Sequence, residues 1–378
     1  MAVDTKSYVP DFAIKIKGKP FRLGADGAPI QHDKLTPIRD ARLDVLSVSV
    51  TESTDKSDNC QIRLRGRLSE LQRFPSGDEL LWIDDDLFTE GNKIEIEMGY
   101  VGNRALHFVG EITALSVSFA DNGVPTLSVE GQSLYHRLHR GRQDGPLEPM
   151  SDSDIVKKIA GQCKLKPSVE PTEVKHSTVA YAGKTFHTIL QDRAKRTGCE
   201  VAVKGETLYF QKPGYQTKKS AKLSLTWGKD LLNFSARLKT TNVPTTVAVR
   251  GTMTNKGGPK EGVSATVNVA SRPSNLAAKN PVSGIQRQIG QSYRRSNDTR
   301  VTNPQDAQTM AQADSDRATL DYNQGQGASI GNPQLQSREV IKIINIGKRL
   351  SGKYYVVSTT HTIDAGGYRT TFQVKRDG

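Results

Sequence analysis

Residues 352–376 read GKYYVVSTTHTIDAGGYRTTFQVKR. Two runs rich in Tyr, Val, Thr and Phe flank Asp364-Ala365-Gly366-Gly367, the pattern of an antiparallel hairpin with a Gly-assisted turn. Thr359, His361, Thr370 and Gln373 alternate with apolar or aromatic neighbours, so the ribbon carries two different faces. His361 has no catalytic partner nearby in sequence and reads as part of a packed or hydrogen-bonded ribbon face. A closing hairpin of this length points to a barrel.

The chain before it supplies strands of the same kind. In residues 1–141 alternating segments fall at 12–17, 43–51, 61–65, 93–100, 105–119 and 126–132, with Gly102-Asn103 and Asn122-Gly123 as turn signals. Residues 68–88 read as short helical pieces broken by Pro75-Ser76-Gly77. Residues 142–215 differ in kind. Ser151 or Ser153 caps a helix with the apolar stripe Ile155, Val156, Ile159, Ala160 and Cys163. Thr185 opens a second helix that Gly198 ends, and strands 200–204 and 207–211 turn at Gly205-Glu206.

Residues 216–378 return to strands, interrupted by a helix over 304–320 that Asn303 caps and Pro304 starts, with a thin apolar face of Ala307, Met310, Ala311 and Ala318. Residues 271–303 read as a mobile basic loop. The fold class predicted is mainly β (α+β): two antiparallel β-barrel-like modules with a small helix-helix-hairpin insert between them.

At 378 residues, two or three domains are expected. The formal charge of +13 favours acidic partners of some kind without choosing among them. Eleven Lys or Arg against Glu261 and Asp298 lie in 235–300, so much of the excess sits there. Cys60, Cys163 and Cys199 are odd in number and far apart, which argues against a disulfide framework. No window approaches 18 apolar residues and no signal-peptide pattern opens the chain, so no membrane anchor is expected.

Motifs for chemistry are sparse. Residues 325–331, GQGASIG, echo a dinucleotide-binding glycine loop, but the third glycine falls one place late and a helix precedes it; a flexible turn is the better reading. Asp84-Asp85-Asp86 lacks the further ligands of a calcium loop. None of the seven histidines falls in HExxH or a Cys/His metal spacing, and His136 with His139 reads as a basic exposed face. No GxSxG occurs, and no cysteine lies in a nucleophile motif. No catalytic, metal or cofactor site is expected.

Taken in order, residues 129–142 (VEGQSLYHRLHRGR), 151–165, 185–213 (TFHTILQDRAKRTGCEVAVKGETLYFQKP), 225–234 (LTWGKDLLNF), 303–317, 327–335 (GASIGNPQL) and the C-terminal hairpin resemble the phage late control gene D family. This is the baseplate hub family of contractile tails, similar to the hub part of VgrG spike proteins. The resemblance implies a non-enzymatic homotrimer of paired barrels that adapts a three-fold spike to a six-fold tail tube. It implies as partners a separate spike protein, the tail tube ring, baseplate proteins and the tape measure protein. It also implies assembly in the bacterial cytoplasm and a final place in the virion or injection particle. VgrG chains continue into an oligonucleotide-binding fold and needle; this sequence ends at Gly378, so the spike is expected to be another polypeptide. Arg287, Arg294, Arg295, Arg300, Lys375 and Arg376 are the candidate residues for contact with tube or spike. The rival readings are a peptidoglycan hydrolase at a tail tip and a basic nucleic-acid-binding protein.

Overall fold

The computed structural model describes residues 8–21, 44–66, 82, 86–121, 124–176, 181–217, 220–241, 243–254, 260–277, 280–297, 301 and 303–378. The chain divides into two compact units: residues 1–136, 329–336 and 359–371 form the first, and 137–328, 337–358 and 372–378 the second.

Unit one contains β1 (Pro10–Ile16), β2 (Lys19–Pro20), β3 (Val45–Ser53), β4 (Asn59–Arg65), β5 (Lys93–Tyr100), β6 (Asn103–Ser118) and β7 (Thr126–Ser133). Their alternation turns one face inward: Val48 and Val50, Cys60, Ile62 and Leu64, Ile94 and Ile96, and Leu127 and Val129 are all buried. Phe21, Trp82 and Phe88 form an aromatic cluster at one side of this core, with ring centroids 5.0–6.2 Å apart. The indole N–H of Trp82 donates to Asp44 Oδ2 at 3.2 Å, which satisfies the buried ring's polar atom. The helical pieces expected over 68–88 lie largely outside the described residues; a short 3-10 turn covers Asp86–Phe88.

Unit two opens with α1 (Arg137–Arg140), β8 (Met150–Ser151) and α2 (Asp152–Gln162), then β9 (Lys166–Val169) and β10 (Lys175–His176). Ser151 Oγ accepts from the Asp154 N–H at 3.2 Å, so Ser151 is the cap, and the Ile155–Ile159 stripe is buried. α3 (Phe186–Thr197) is capped by Thr185 and ends at Gly198, whose φ of 69° is the left-handed turn that glycine tolerates. β11 (Glu200–Lys204) and β12 (Thr207–Gln211) form the expected hairpin, and β9 adds to β12 in parallel.

The rest of unit two holds α4 (Gly214–Thr217), β13 (Leu223–Thr226), β14 (Leu231–Leu238), β15 (Thr246–Thr254), β16 (Lys260–Asn268), α5 (Val282–Ile289), β17 (Tyr293–Asn297), α6 (Pro304–Leu320), β18 (Asn323–Ile330) and β19 (Val340–Ile344). α6 has Asn303 as its cap, with Asn303 Oδ1 accepting from the Asp306 N–H at 2.8 Å. Its small residues allow close approach: a Cβ at Gly198 would lie 3.0 Å from the Cβ of Ala313. The segment read as a loop, 271–303, carries both α5 and β17, and β17 runs parallel to β15.

The C-terminal hairpin, β20 (Gly352–Asp364) and β21 (Gly367–Arg376), gives residues to both units. It does not close a barrel. In unit one the hydrogen-bonded path runs β20, β3, β4, β7, β6, β5, β1, β2, and the two-residue β2 pairs with β1 rather than returning to β20. In unit two the path β14, β18, β21, β20, β19, β13 is also open. The expectation of two antiparallel barrel-like modules is therefore wrong: the fold is mixed α/β with several open sheets, and β9–β12, β13–β19 and β15–β17 are parallel pairs. Alternation reports which face of a strand is buried, whereas closure depends on whether the end strands meet, and no local pattern encodes that. Among the described residues no helix is long and apolar enough to cross a membrane.

Candidate functional site

The sequence-predicted contact residues separate into two environments. Arg287 is exposed on α5, and Arg294 and Arg295 are exposed on β17. β17 pairs with β15 and lies at the end of a three-stranded sheet ordered β16, β15, β17, so these arginines decorate a strand edge. Tyr293, 58% exposed, lies on the same strand, with the Arg295 guanidinium 5.9 Å from its ring centroid. Arg300 lies outside the described residues.

Lys375 and Arg376 are engaged within unit two. Lys375 Nζ reaches Asp321 Oδ1 at 2.7 Å. Arg376 is buried, donates from Nη1 to the carbonyls of Leu350 and Ser351 at 3.1 and 3.3 Å, and lies 5.4 Å from the Tyr354 ring centroid. A side chain at Gly352 would collide with this guanidinium, its Cβ falling 2.9 Å from Nη1.

The other motifs resolve without chemistry. Gly325 and Gly327 lie in strand β18 rather than in a flexible turn; a Cβ at Gly325 would sit 2.6 Å from the Phe234 ring and one at Gly327 2.7 Å from the Asn233 carbonyl oxygen. Close backbone approach explains Gly327, and the Phe234 ring packed against the chain explains Gly325. His136 and His139 do not form a pair. His136 Nε2 meets Glu111 Oε2 at 2.8 Å in unit one, while His139 stacks on His187 in unit two at 4.1 Å. Burial pushes the thiols of Cys60, Cys163 and Cys199 up, the opposite of what a thiolate nucleophile needs. A polar cavity of about 320 Å³ in unit two is lined by Asp152, Glu170, Glu173, Arg196, Lys212 and Asp306 among others. Both of its cations are engaged within the chain: Arg196 Nη2 contacts Asp306 Oδ2 at 2.6 Å, and Lys212 Nζ donates to the Thr197 carbonyl at 2.6 Å.

A buried polar cluster in unit one was not legible in any motif. Glu52 at the end of β3, His107 in β6 and His361 in β20 are all buried. The rings of His107 and His361 stack with centroids 3.9 Å apart, and His107 Nδ1 lies 3.2 Å from Glu52 Oε1. His361 Nε2 donates to the Leu335 carbonyl at 2.8 Å, which assigns its proton to Nε2. Nδ1 then accepts from the Tyr368 hydroxyl at 2.7 Å, with Thr370 Oγ1 at 3.2 Å. Burial, and then the neighbouring His107, push the pKa of His361 down to about 3, so the ring is neutral. His107 Nε2 is buried without a hydrogen-bond partner.

The comparisons place this architecture. A family model described as the Alg8 N-terminal domain matches residues 36–365. No protein of curated function matches the sequence. Among solved structures, the 43 kDa tail protein of prophage MuSo2 from Shewanella oneidensis is similar with a TM-score of 0.67 at 16% identity, over 97% of this chain and 98% of that one. The tail protein from Neisseria meningitidis MC58 gives 0.66 at 12% identity, over 98% of both chains. The Escherichia coli c3393 protein, a component of the type VI secretion system, gives 0.56 at 12% identity, over 96% of this chain and 76% of that one. At these identities the likeness is one of fold, shared end to end with tail proteins, and the sequence match over 36–365 makes the chain a member of the Alg8 N-terminal domain family.

Proposed function

We propose that this chain is a structural, non-enzymatic component of a contractile tail or injection machine. Its role in this reading is the baseplate hub, a homotrimer that adapts a three-fold spike to a six-fold tail tube. The observation that carries the reading is the match in fold to two tail proteins over nearly the whole of both chains. The similarity to a component of the type VI secretion system that itself has structural similarity to bacteriophage tail proteins supports it. The partners are a separate spike protein, the tube ring, neighbouring baseplate proteins and the tape measure protein.

Arg287, Arg294, Arg295 and Arg300 are proposed to meet an acidic surface on tube or spike, and Lys375 and Arg376 to hold the end of β21 close to the spike. An exposed basic strand edge suits such contact, since charge complementarity raises the encounter rate and a free edge accepts another strand. A trimer of this kind buries roughly 2,000 Å² or more per obligate interface. Mass photometry of the purified chain, alone and with its spike, tests the reading. A trimer in either sample is expected; a monomer in both, from folded protein, overturns it.

A further inference from the structure

Independently of that reading, we propose that Glu52, His107 and His361 form a buried site for one divalent transition-metal ion of the zinc, cobalt and nickel class. The donor set is one carboxylate and two imidazoles, a combination suited to these ions. One ligand atom from each residue lies within 4.8 Å of those of the other two. Glu52 Oε1 and His107 Nδ1 are already 3.2 Å apart, close to the separation of two ligands that each sit about 2.0–2.1 Å from a tetrahedral ion.

The two rings are prepared in different ways. The tautomer of His361 is set from behind: its Nε2–H is held by the Leu335 carbonyl, the outer contact that metal-bound histidines usually make, and this leaves Nδ1 as the lone-pair nitrogen. The Tyr368 hydroxyl donates to that lone pair; for an ion to take it, Tyr368 keeps its proton and turns its O–H away, which leaves the Tyr368 and Thr370 hydroxyl oxygens beside the ion as a fourth ligand and its support. His107 has no such outer contact. The Glu52 carboxylate only accepts, so without an ion the His107 proton sits on Nδ1, facing Glu52, and Nε2 is left without a partner. When an ion enters between Glu52 and His107, the ring proton resides on Nε2 and Nδ1 becomes the ligand. The ion would tie together three strands far apart in sequence, β3, β6 and β20. All three residues are buried, so loading belongs to folding rather than to the finished protein.

The test is refolding with about one equivalent of Co²⁺, in a His139→Asn/His187→Asn background that removes the stacked histidine pair of unit two. Expected are about one cobalt per chain after gel filtration, the visible absorption of a tetrahedral Co²⁺ centre, and a higher Tm than protein refolded with a chelator. Glu52→Gln and His107→Gln should each lose the absorption. Should either variant fail to fold, displacement of Co²⁺ by Zn²⁺ in the parent and the metal–ligand distances from X-ray absorption decide the matter. Protein that refolds to the native circular dichroism spectrum with less than about a tenth of an ion per chain overturns the proposal, as does a folded His107→Gln variant that binds as the parent does.

Discussion

Each unit buries a polar cluster, and the two are built on opposite principles. In unit two, Arg193 on α3 is fully enclosed, with Nη1 on Asp152 Oδ1 at 3.1 Å and Nε on the Tyr181 hydroxyl at 2.9 Å. His176 adds a contact to the same Asp152 oxygen at 3.0 Å, and Tyr181 in turn bonds Asp192. This is a charged cluster whose charges answer one another. In unit one, the cluster around His361 contains a neutral ring stacked on a second imidazole. A network of formal charges ties its residues together by ion pairs; a cluster with a neutral ring at its centre relies on packing and hydrogen bonds.

The sharpest way to break this contrast is to remove one charge. Arg193→Ala leaves Asp152 buried beside His176 without its guanidinium, and removal of one partner of a buried pair costs about 3–5 kcal/mol. Urea denaturation followed by circular dichroism should show that loss in a folded but weakened protein. A cost below about 1 kcal/mol would mean that the network contributes nothing beyond its own desolvation.

Acid distinguishes the clusters by the pH at which each fails. In the metal-free protein His361 titrates near 3 when folded and near 6.5 when unfolded. Between those values the unfolded chain binds the extra proton, so stability falls as pH drops from about 6.5, by at most about 1.4 kcal/mol per pH unit. Asp152 behaves otherwise. Burial would raise its pKa, but the hydrogen bond and charge of His176 and the charge of Arg193 outweigh it and hold the carboxyl below its ordinary value of 3.8. Its contribution is complete above about pH 4 and is lost only as pH falls through the depressed folded value. Hydrogen exchange across pH 7 to 3 should therefore open β3, β6 and β20 before α2 and α3. Simultaneous opening would show that the two clusters do not set local stability.

A smaller effect tests the local, helical character of unit two. Asn303→Ala removes the acceptor of the Asp306 N–H and should cost about 1 kcal/mol, read as a shift in the denaturation midpoint at unchanged slope.

The same division governs what the sequence made legible. Ser151, Thr185, Gly198, Gly205 and Asn303 act within a few residues of themselves, and each stands in the role its local pattern indicates. Strand positions in unit one were also readable, because period-two alternation is local. The barrels were not, since closure is a statement about which distant edges meet. The histidine cluster was hidden for the same reason. His107 and Glu52 are 55 positions apart and His361 lies in the final hairpin, so no spacing rule joins them. His361 was visible as a polar residue on a ribbon face, but its partners Leu335 and His107 arrive only through the fold.

The smallest expected effect on stability concerns arginines of the opposite kind. Arg193 and Arg376 are buried and bonded within the chain, whereas Arg287 and Arg295 stand exposed on α5 and β17. Contacts made by exposed charges at the surface typically change stability by about 0.5 kcal/mol or less when the charge is neutralised. Arg287→Gln, Arg294→Gln and Arg295→Gln together should leave the denaturation midpoint almost where it was. The same substitutions should weaken association with the spike or tube protein and flatten its dependence on salt, because fewer ionic contacts remain to be screened. Titration of the complex between low and moderate salt measures this directly. Unaltered affinity and salt slope, with stability also unaltered, would remove the basic edge of β17 from the interface and leave its charge without a role in assembly.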